Sequence, residues 1–154
     1  MKQFMKKGLI LTLILVCIAS IFALSACGYQ THKGDKAVTL IVGEGAEQEI
    51  FSNYHTDTEN LYDMLMEFND EEYLNVVASD GQWGKFLTEV GSLKPDTSKN
   101  EYICILSSIP EQQDQTDYKI TKLYKDTEVI STITGCSTLA IIDGGIYMIA
   151  IASF

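Results

Sequence analysis

Few residues in this chain are of a type that does chemistry: two thiols in the body of the sequence, two imidazoles, a serine pair and a single indole. Cys104 and Cys136 stand 32 positions apart, and they are either a disulfide, as an exported protein favours, or two buried free thiols. His32 and His55 do not repeat at helical spacing and sit in no Cys motif, so no metal site is legible. They also sit in no recognisable arrangement with a cysteine nucleophile. Ser107-Ser108 lacks a nucleophile-elbow setting, and Gly43-Glu-Gly45 lacks the Gly-Lys-Ser/Thr ending of a phosphate loop. The sequence therefore presents no catalytic residue and no resident cofactor, and the expectation is a protein that is not an enzyme. Trp83 is different, because Gly81 and Gly84 flank it in a segment that must turn. An indole on a glycine-rich loop can stack on a flat ligand, or it can serve as a partly buried anchor over a sheet edge. Tyr102 and Tyr147 carry the same two readings, since Tyr is also a common strand residue.

These residues belong to one small domain. The chain has 154 residues, 46% of them hydrophobic, which is ordinary for a globular protein and too rich for a disordered one. All 11 basic residues are Lys, against 21 acids. Without Arg the chain lacks the usual bidentate fork for phosphate, so nucleic acid is excluded as an expected partner.

The first residues read as an address. Lys2, Lys6 and Lys7 precede an apolar run from Gly8 to Ala23, which leads into Leu24-Ser25-Ala26-Cys27. That ending resembles the lipobox of bacterial lipoproteins, in which the cysteine is diacylated and the chain is cut just before it. A plain transmembrane anchor is the alternative, but it has no need of a Leu-Ser-Ala-Cys ending. The expectation is a signal peptide at 1–26, lipidated Cys27 with a short linker at 27–36, and a domain at 37–154. Removing residues 1–26 takes away three Lys and no acid, so the mature chain carries 8 Lys against 21 acids, a net charge of −13. Such a surface repels anionic headgroups, which leaves the acyl chains to hold the protein on the extracytoplasmic face of the cell membrane.

Within the domain, Ala37 to Val42 and Glu47 to Asn53 are β-rich runs around a Gly-containing connector, and they predict a hairpin. Thr56-Asp57-Thr58-Glu59 has the form of a capping box. Beyond it, Leu61, Met64, Leu65 and Phe68 fall at i, i+3, i+4 and i+7 and predict a helix that packs on a sheet. Asn69-Asp-Glu-Glu72 closes the helix as a solvated loop without the spacing of a calcium loop. Short strands follow at Leu74 to Ala78, Phe86 to Val90, Tyr102 to Ile109 and Tyr118 to Val129. A last run, Leu139 to Ile142, is expected to turn at Asp143-Gly-Gly145 into Ile146 to Ser153. This order predicts an α+β fold, a mostly β sheet with one main helix packed on one face.

The helix segment Thr58-Glu-Asn-Leu-Tyr-Asp-Met-Leu65, Gly81-Gln-Trp-Gly-Lys-Phe-Leu-Thr-Glu-Val90, Glu101-Tyr-Ile-Cys-Ile-Leu106, Gly135, and Asp143-Gly-Gly-Ile-Tyr147 come in a familiar order. Together they resemble the transcobalamin-like C-terminal domain family over residues 37–154. That family is a small β-grasp-like module of Gram-positive surface lipoproteins and the smaller domain of animal cobalamin carriers. The resemblance implies a β-grasp-like mixed sheet. In the carriers this module closes over the vitamin, with a Trp-bearing strand and a Gly-Ile-type loop in contact. The matching positions are Tyr102, where the Trp would stand, and Gly135-Cys136 for the loop. Leu106-Ser-Ser-Ile-Pro110 replaces the Val-Asn-Gly turn of many bacterial members, and Asp143-Gly-Gly145 replaces their Asp-Gly-Asp. The carriers also use a large helical domain, so the module by itself would offer an open half-site.

The resulting expectation is a membrane-anchored extracellular lipoprotein that binds a small ligand, of which a corrinoid such as cobalamin is the implied one, through Trp83, Tyr102 and Gly135. A protein or polysaccharide interaction module of a surface assembly is the alternative, which an exposed sheet edge or a large apolar patch without a concave pocket would favour. Cys27→Ala, expressed in a Gram-positive host, is expected to lose all incorporation of labelled palmitate and to shift from the membrane fraction.

Overall fold

The computed structural model of the protein describes residues 33–153 apart from Trp83. The expected signal peptide, the lipidation site Cys27, most of the linker, and Trp83 lie outside the described residues.

The expected first hairpin is present as β1 (Lys36–Val42) and β2 (Glu49–Thr56), with a 3-10 turn at Gly45–Glu47 in the connector. Gly43 opens that connector at φ 94°, a conformation that glycine adopts without strain. Next come α1 (Leu61–Asp70), β3 (Val76–Gly81), β4 (Gly84–Val90) and β5 (Glu101–Ser107). The chain ends with β6 (Thr121–Tyr124), β7 (Thr127–Ser131) and β8 (Ile146–Ser153). Six strands form a mixed sheet in the order β2-β1-β8-β5-β7-β6, and β3 and β4 form a separate two-stranded ribbon. The first and last strands, β1 and β8, lie side by side and parallel, while the other neighbours are antiparallel. Among the described residues the architecture is α+β, with one α-helix and a mostly β core.

The helical stripe is buried as its spacing requires: Leu61, Met64, Leu65 and Phe68 are all inaccessible to solvent. They pack on the sheet face made by Val38, Leu40 and Val42 of β1, Ile103 of β5, and Tyr147 and Ile149 of β8. Phe68 sits in an aromatic cluster, with its ring centroid 4.2 Å from Tyr54 and 4.7 Å from Phe51, both on β2. Alternate residues of the same strands, among them Ile41, Cys104, Leu106, Met148 and Ala150, form a second apolar cluster on the opposite face with Val129 of β7. Because both faces are covered, the central strands read as continuous apolar runs rather than as alternating ones.

Three local expectations are corrected. Asn60, not Thr56, is the helix N-cap, its Oδ1 accepting from the Asp63 N–H at 3.0 Å. Thr56 is buried, and its hydroxyl donates instead to Glu67 at 2.8 Å, which ties β2 to the helix. The polar run Tyr118 to Val129 is not one strand but the β6–β7 hairpin, because Lys125 takes a left-handed φ of 53° and turns the chain. Leu139 to Ile142 makes no hairpin with β8 either. It crosses the start of the helix, where Leu61 donates to the Leu139 carbonyl and Ile141 to the Glu59 carbonyl, both at 2.9 Å. Two helix-start amides that would otherwise lack acceptors are satisfied in this way, Tyr62 donating to the Cys136 carbonyl at 3.0 Å.

Phe68→Ala removes the side chain on which the aromatic cluster converges and is expected to lower the unfolding free energy by about 3–5 kcal/mol. Asn60→Ala, which removes only the cap, is expected to cost about 1 kcal/mol. Urea titration followed by tyrosine fluorescence separates the two.

Candidate ligand-binding groove

The segment that follows β7 builds the site. Thr132 donates to the Ile105 carbonyl at 2.9 Å, after which the chain bends away from β5, the Thr132 hydroxyl bonding the Thr134 carbonyl at 2.9 Å. A turn follows in which Thr138 and Leu139 both donate to the Gly135 carbonyl, at 3.1 and 3.0 Å. Ser137 then locks this turn to the β3–β4 ribbon, its Oγ accepting from the Lys85 N–H at 3.1 Å. Gly84 is required there, since it holds φ 103° and a Cβ would stand 2.3 Å from that hydroxyl.

Between these parts lies an open groove of about 470 Å³. One wall is β4, with Lys85, Phe86 and Leu87, and the floor is the edge of β5 from Tyr102 to Ile105. The remaining walls are the 131–136 segment and the loop that carries Asp114, Tyr118 and Ile120. That loop is held by its own turn, in which the Asp114 carboxylate accepts from the Thr116 N–H at 2.8 Å and from its hydroxyl at 3.0 Å.

Tyr102, Cys104, Gly135 and Cys136, all named from the sequence, line this one groove. Tyr102 is half-buried, and desolvation raises its phenol above the ordinary value. Gly135 is exposed, and a Cβ there would meet no atom within 4 Å. Tyr147 is elsewhere: it is fully buried, and its hydroxyl donates to the Ala140 carbonyl at 3.0 Å and accepts from the Ile142 N–H at 2.8 Å. It is a core residue and takes no part in the groove.

Sequence reasoning missed three side chains that dominate the rim. Phe86, Tyr118 and Ile133 are 59%, 91% and 64% exposed, and all three line the groove. An exposed apolar rim around a concavity is a feature of binding surfaces. Tyr118 did carry a signal, an aromatic in the most polar stretch of the chain, between Glu111 and Lys119. Lys85 supplies the one positive charge on the lining, and its hydrogen bond to Asp80, at 2.6 Å, raises its pKa.

The expected alternative of a Cys104–Cys136 disulfide is not realised. Both are free and buried, and they belong to different apolar clusters on opposite faces of the sheet. The Cys136 thiol donates to the Lys85 carbonyl at 3.3 Å. Burial pushes Cys104 up to about 11, and burial likewise raises Cys136. Among the described residues no group of three or more His, Cys, Asp or Glu side chains is placed to hold a metal ion.

No protein-family model matches the chain, and no curated protein matches it. Solved structures do. A candidate metal-binding protein from Ruminococcus gnavus ATCC 29149 aligns with a TM-score of 0.55 at 20% identity, over 78% of this chain and 99% of that one. Haptocorrin in complex with Cbi aligns with a TM-score of 0.56 at 11% identity, over 84% of this chain. The alignment takes in only 28% of the haptocorrin chain. These likenesses establish a shared fold. They extend to a transcobalamin-type protein and carry no assignment of activity.

The thiols make a testable pair. A thiol whose folded pKa is raised stabilises the fold fully below its unfolded value of 9.0, and that contribution is lost as pH rises towards about 11. In reducing buffer the thermal midpoint is expected to fall across that interval, and less steeply in Cys104→Ala. Iodoacetamide at neutral pH is expected to modify neither thiol until denaturant is added.

Proposed function

We propose that this protein is a lipid-anchored binding module of the extracytoplasmic membrane face, which captures a small, flat, largely apolar ligand of the corrinoid class for uptake. The observation that carries this reading is that Tyr102 and Gly135 line a single groove. These are the two positions that the family resemblance places against the vitamin. The exposed rim of Phe86, Tyr118 and Ile133 supports it, because a macrocycle laid on those side chains would remove apolar surface from water. Haptocorrin's complex with Cbi supports the ligand class through the shared fold. A β-grasp-like description of the sheet belongs to the same reading, and the parallel pairing of first and last strands at its centre agrees with it.

The groove is open, so the module holds one face of its ligand. A second body, either a transport protein or another binding domain, would cover the other. The reading assigns the groove binding and no catalytic step, in keeping with its ionisable side chains: Lys85 is paired with Asp80, Asp114 is engaged by Thr116, and the rest are thiols or phenols, three of which burial or desolvation disfavours ionising.

Equilibrium dialysis of the full chain in mild detergent, with a detergent-only blank, tests the reading through the visible absorbance of cobinamide and cobalamin. Saturable binding of one corrinoid per chain is expected. Gly135→Trp, whose Cβ would meet no atom within 4 Å, adds bulk at the groove wall and is expected to weaken binding by about tenfold or more, roughly 1.4 kcal/mol. No saturable retention of either corrinoid would overturn the reading.

A further inference from the structure

The end of the sheet at which β1 begins is the end held closest to the expected lipid anchor. The described chain starts at Lys33, and the six residues from Cys27 to Lys33 span about 22 Å at most when fully extended. From there the chain is fastened at once. His55 Nδ1 donates to the Gly34 carbonyl at 3.1 Å, the Asp35 N–H to the Asp57 carboxylate at 2.8 Å, and the Ala37 N–H to the Asp143 carboxylate at 2.7 Å. The tether therefore ends at Gly34, and this end of the domain stays within reach of the headgroups.

A second open groove, of about 390 Å³, lies at that end. Tyr124, Lys125 and Thr127 of the β6–β7 turn form one wall, Ser52 and Asn53 of β2 the other, and Thr39 of β1 lies between them. Farther along the hairpin, Lys122 holds it to Glu44 of the β1–β2 connector at 3.0 Å. Lys125 itself has no carboxylate within ion-pair distance among the described residues, although Asp126 is next in the chain. Its ammonium stands 5.1 Å from the Tyr124 ring centroid. The Thr39, Ser52 and Thr127 hydroxyls have no partner among the described residues, and the Asn53 amide has only His55 Nε2, at 3.4 Å. Asn53 and Lys125 both hold left-handed backbones, at φ 55° and 53°. Asn adopts that conformation readily and Lys does not, so Lys125 is kept there at a conformational cost, as happens at ligand sites.

We infer that this groove takes the polyol phosphate headgroup of a membrane lipid and so holds the domain upright on its anchor. This rests on the lipid-anchored reading above and adds an orientation to it. Lys125 meets the phosphodiester as a point charge. The Asn53 amide and the three hydroxyls both donate and accept, as the hydroxyls of a glycerol headgroup do. A choline headgroup would instead set a second cation beside Lys125. The net charge of −13 opposes a general approach to anionic lipid, but it is screened beyond about 8 Å at physiological salt. A short tether also supplies the headgroup at a concentration on the order of millimolar, so a weak site suffices. The strand register gives the consequence. Thr39 of β1 pairs with Ile146 of β8, and Ala152 of β8 pairs with Tyr102. At about 3.3 Å per residue, Tyr102 stands about 20 Å along the strands from the headgroup site. The first groove is thus presented away from the bilayer, where a ligand and a transport protein can reach it.

The test uses the mature lipoprotein, purified with its acyl chains from a Gram-positive host and reconstituted into vesicles of phosphatidylcholine or of phosphatidylglycerol. Amide hydrogen exchange is read by mass spectrometry over residues 50–56 and 121–129, with residues 111–120 as the remote control. Exchange in the first two segments is expected to be about tenfold slower in phosphatidylglycerol, and unchanged in the control segment. Lys125→Asn keeps a residue that tolerates the left-handed turn and removes the charge, and it is expected to abolish the difference. Lys125→Arg is expected to retain it, as is Lys119→Asn, which makes the same charge change elsewhere on the surface. Equal exchange in the two lipids, or a lipid effect that Lys125→Asn leaves intact or Lys119→Asn also removes, would overturn the headgroup site and leave the anchor standing. Protection by soluble glycerol phosphate with none from vesicles would overturn the bilayer as its source. Failure of the protein to float with either vesicle would overturn the anchored reading, and the orientation with it.

Discussion

A buried polar junction around one backbone carbonyl holds the parts of this protein in register. The Ala140 carbonyl accepts from the Gln112 side-chain amide at 2.7 Å and from the Tyr147 hydroxyl at 3.0 Å. Gln112 accepts in turn from the Ser107 hydroxyl at 2.7 Å, and Ser107 accepts from the Ile109 N–H at 3.1 Å. Ser107 and Tyr147 are wholly buried and Gln112 nearly so, yet each finds partners, so the network can sit inside an apolar core without an orphaned group. It joins the end of β5, the turn after it, the crossing segment and β8. Loss of one member would strand the others, which is why such networks specify one arrangement more than they add stability.

The groove inherits its shape from that junction. The crossing segment is pinned at 139–142, and Cys136 and Ser137 are fixed against the helix start and the β3–β4 ribbon. The chain between Thr132 and Gly135 must therefore leave β5 early to reach them. That departure is what opens the strand edge. The same detour places Ile133 and Gly135 on the rim, and the ribbon, locked to Ser137, brings Phe86 to the opposite wall. Rigid elements thus present an apolar rim around a concave groove.

The two thiols show how little a residue type says without its surroundings. Cys104 and Cys136 both border the groove and could have been a bridge or a reactive pair. They lie on opposite sides of the sheet in separate apolar clusters, where burial keeps them protonated. They act as small apolar side chains with weak donors.

Local pattern determined what depends on neighbours within a few residues. The stripe from Leu61 to Phe68 has the period of a half-buried helix, so its burial was legible. The first hairpin and the α+β order were legible too, because turn glycines and β-branched runs act within one or two strands. The Tyr102 and Gly135 positions came from motif order. What only the tertiary structure decided are features that depend on partners distant in sequence. Asn60 displaced Thr56 as the cap because Thr56 is drawn to Glu67, and Leu139 to Ile142 serves the helix start rather than a hairpin. The exposure of Phe86, Tyr118 and Ile133 follows from how β4, the loop before β6 and the chain after β7 come together around the groove. No periodicity records that, since a strand's sequence looks the same whether its edge is paired or open.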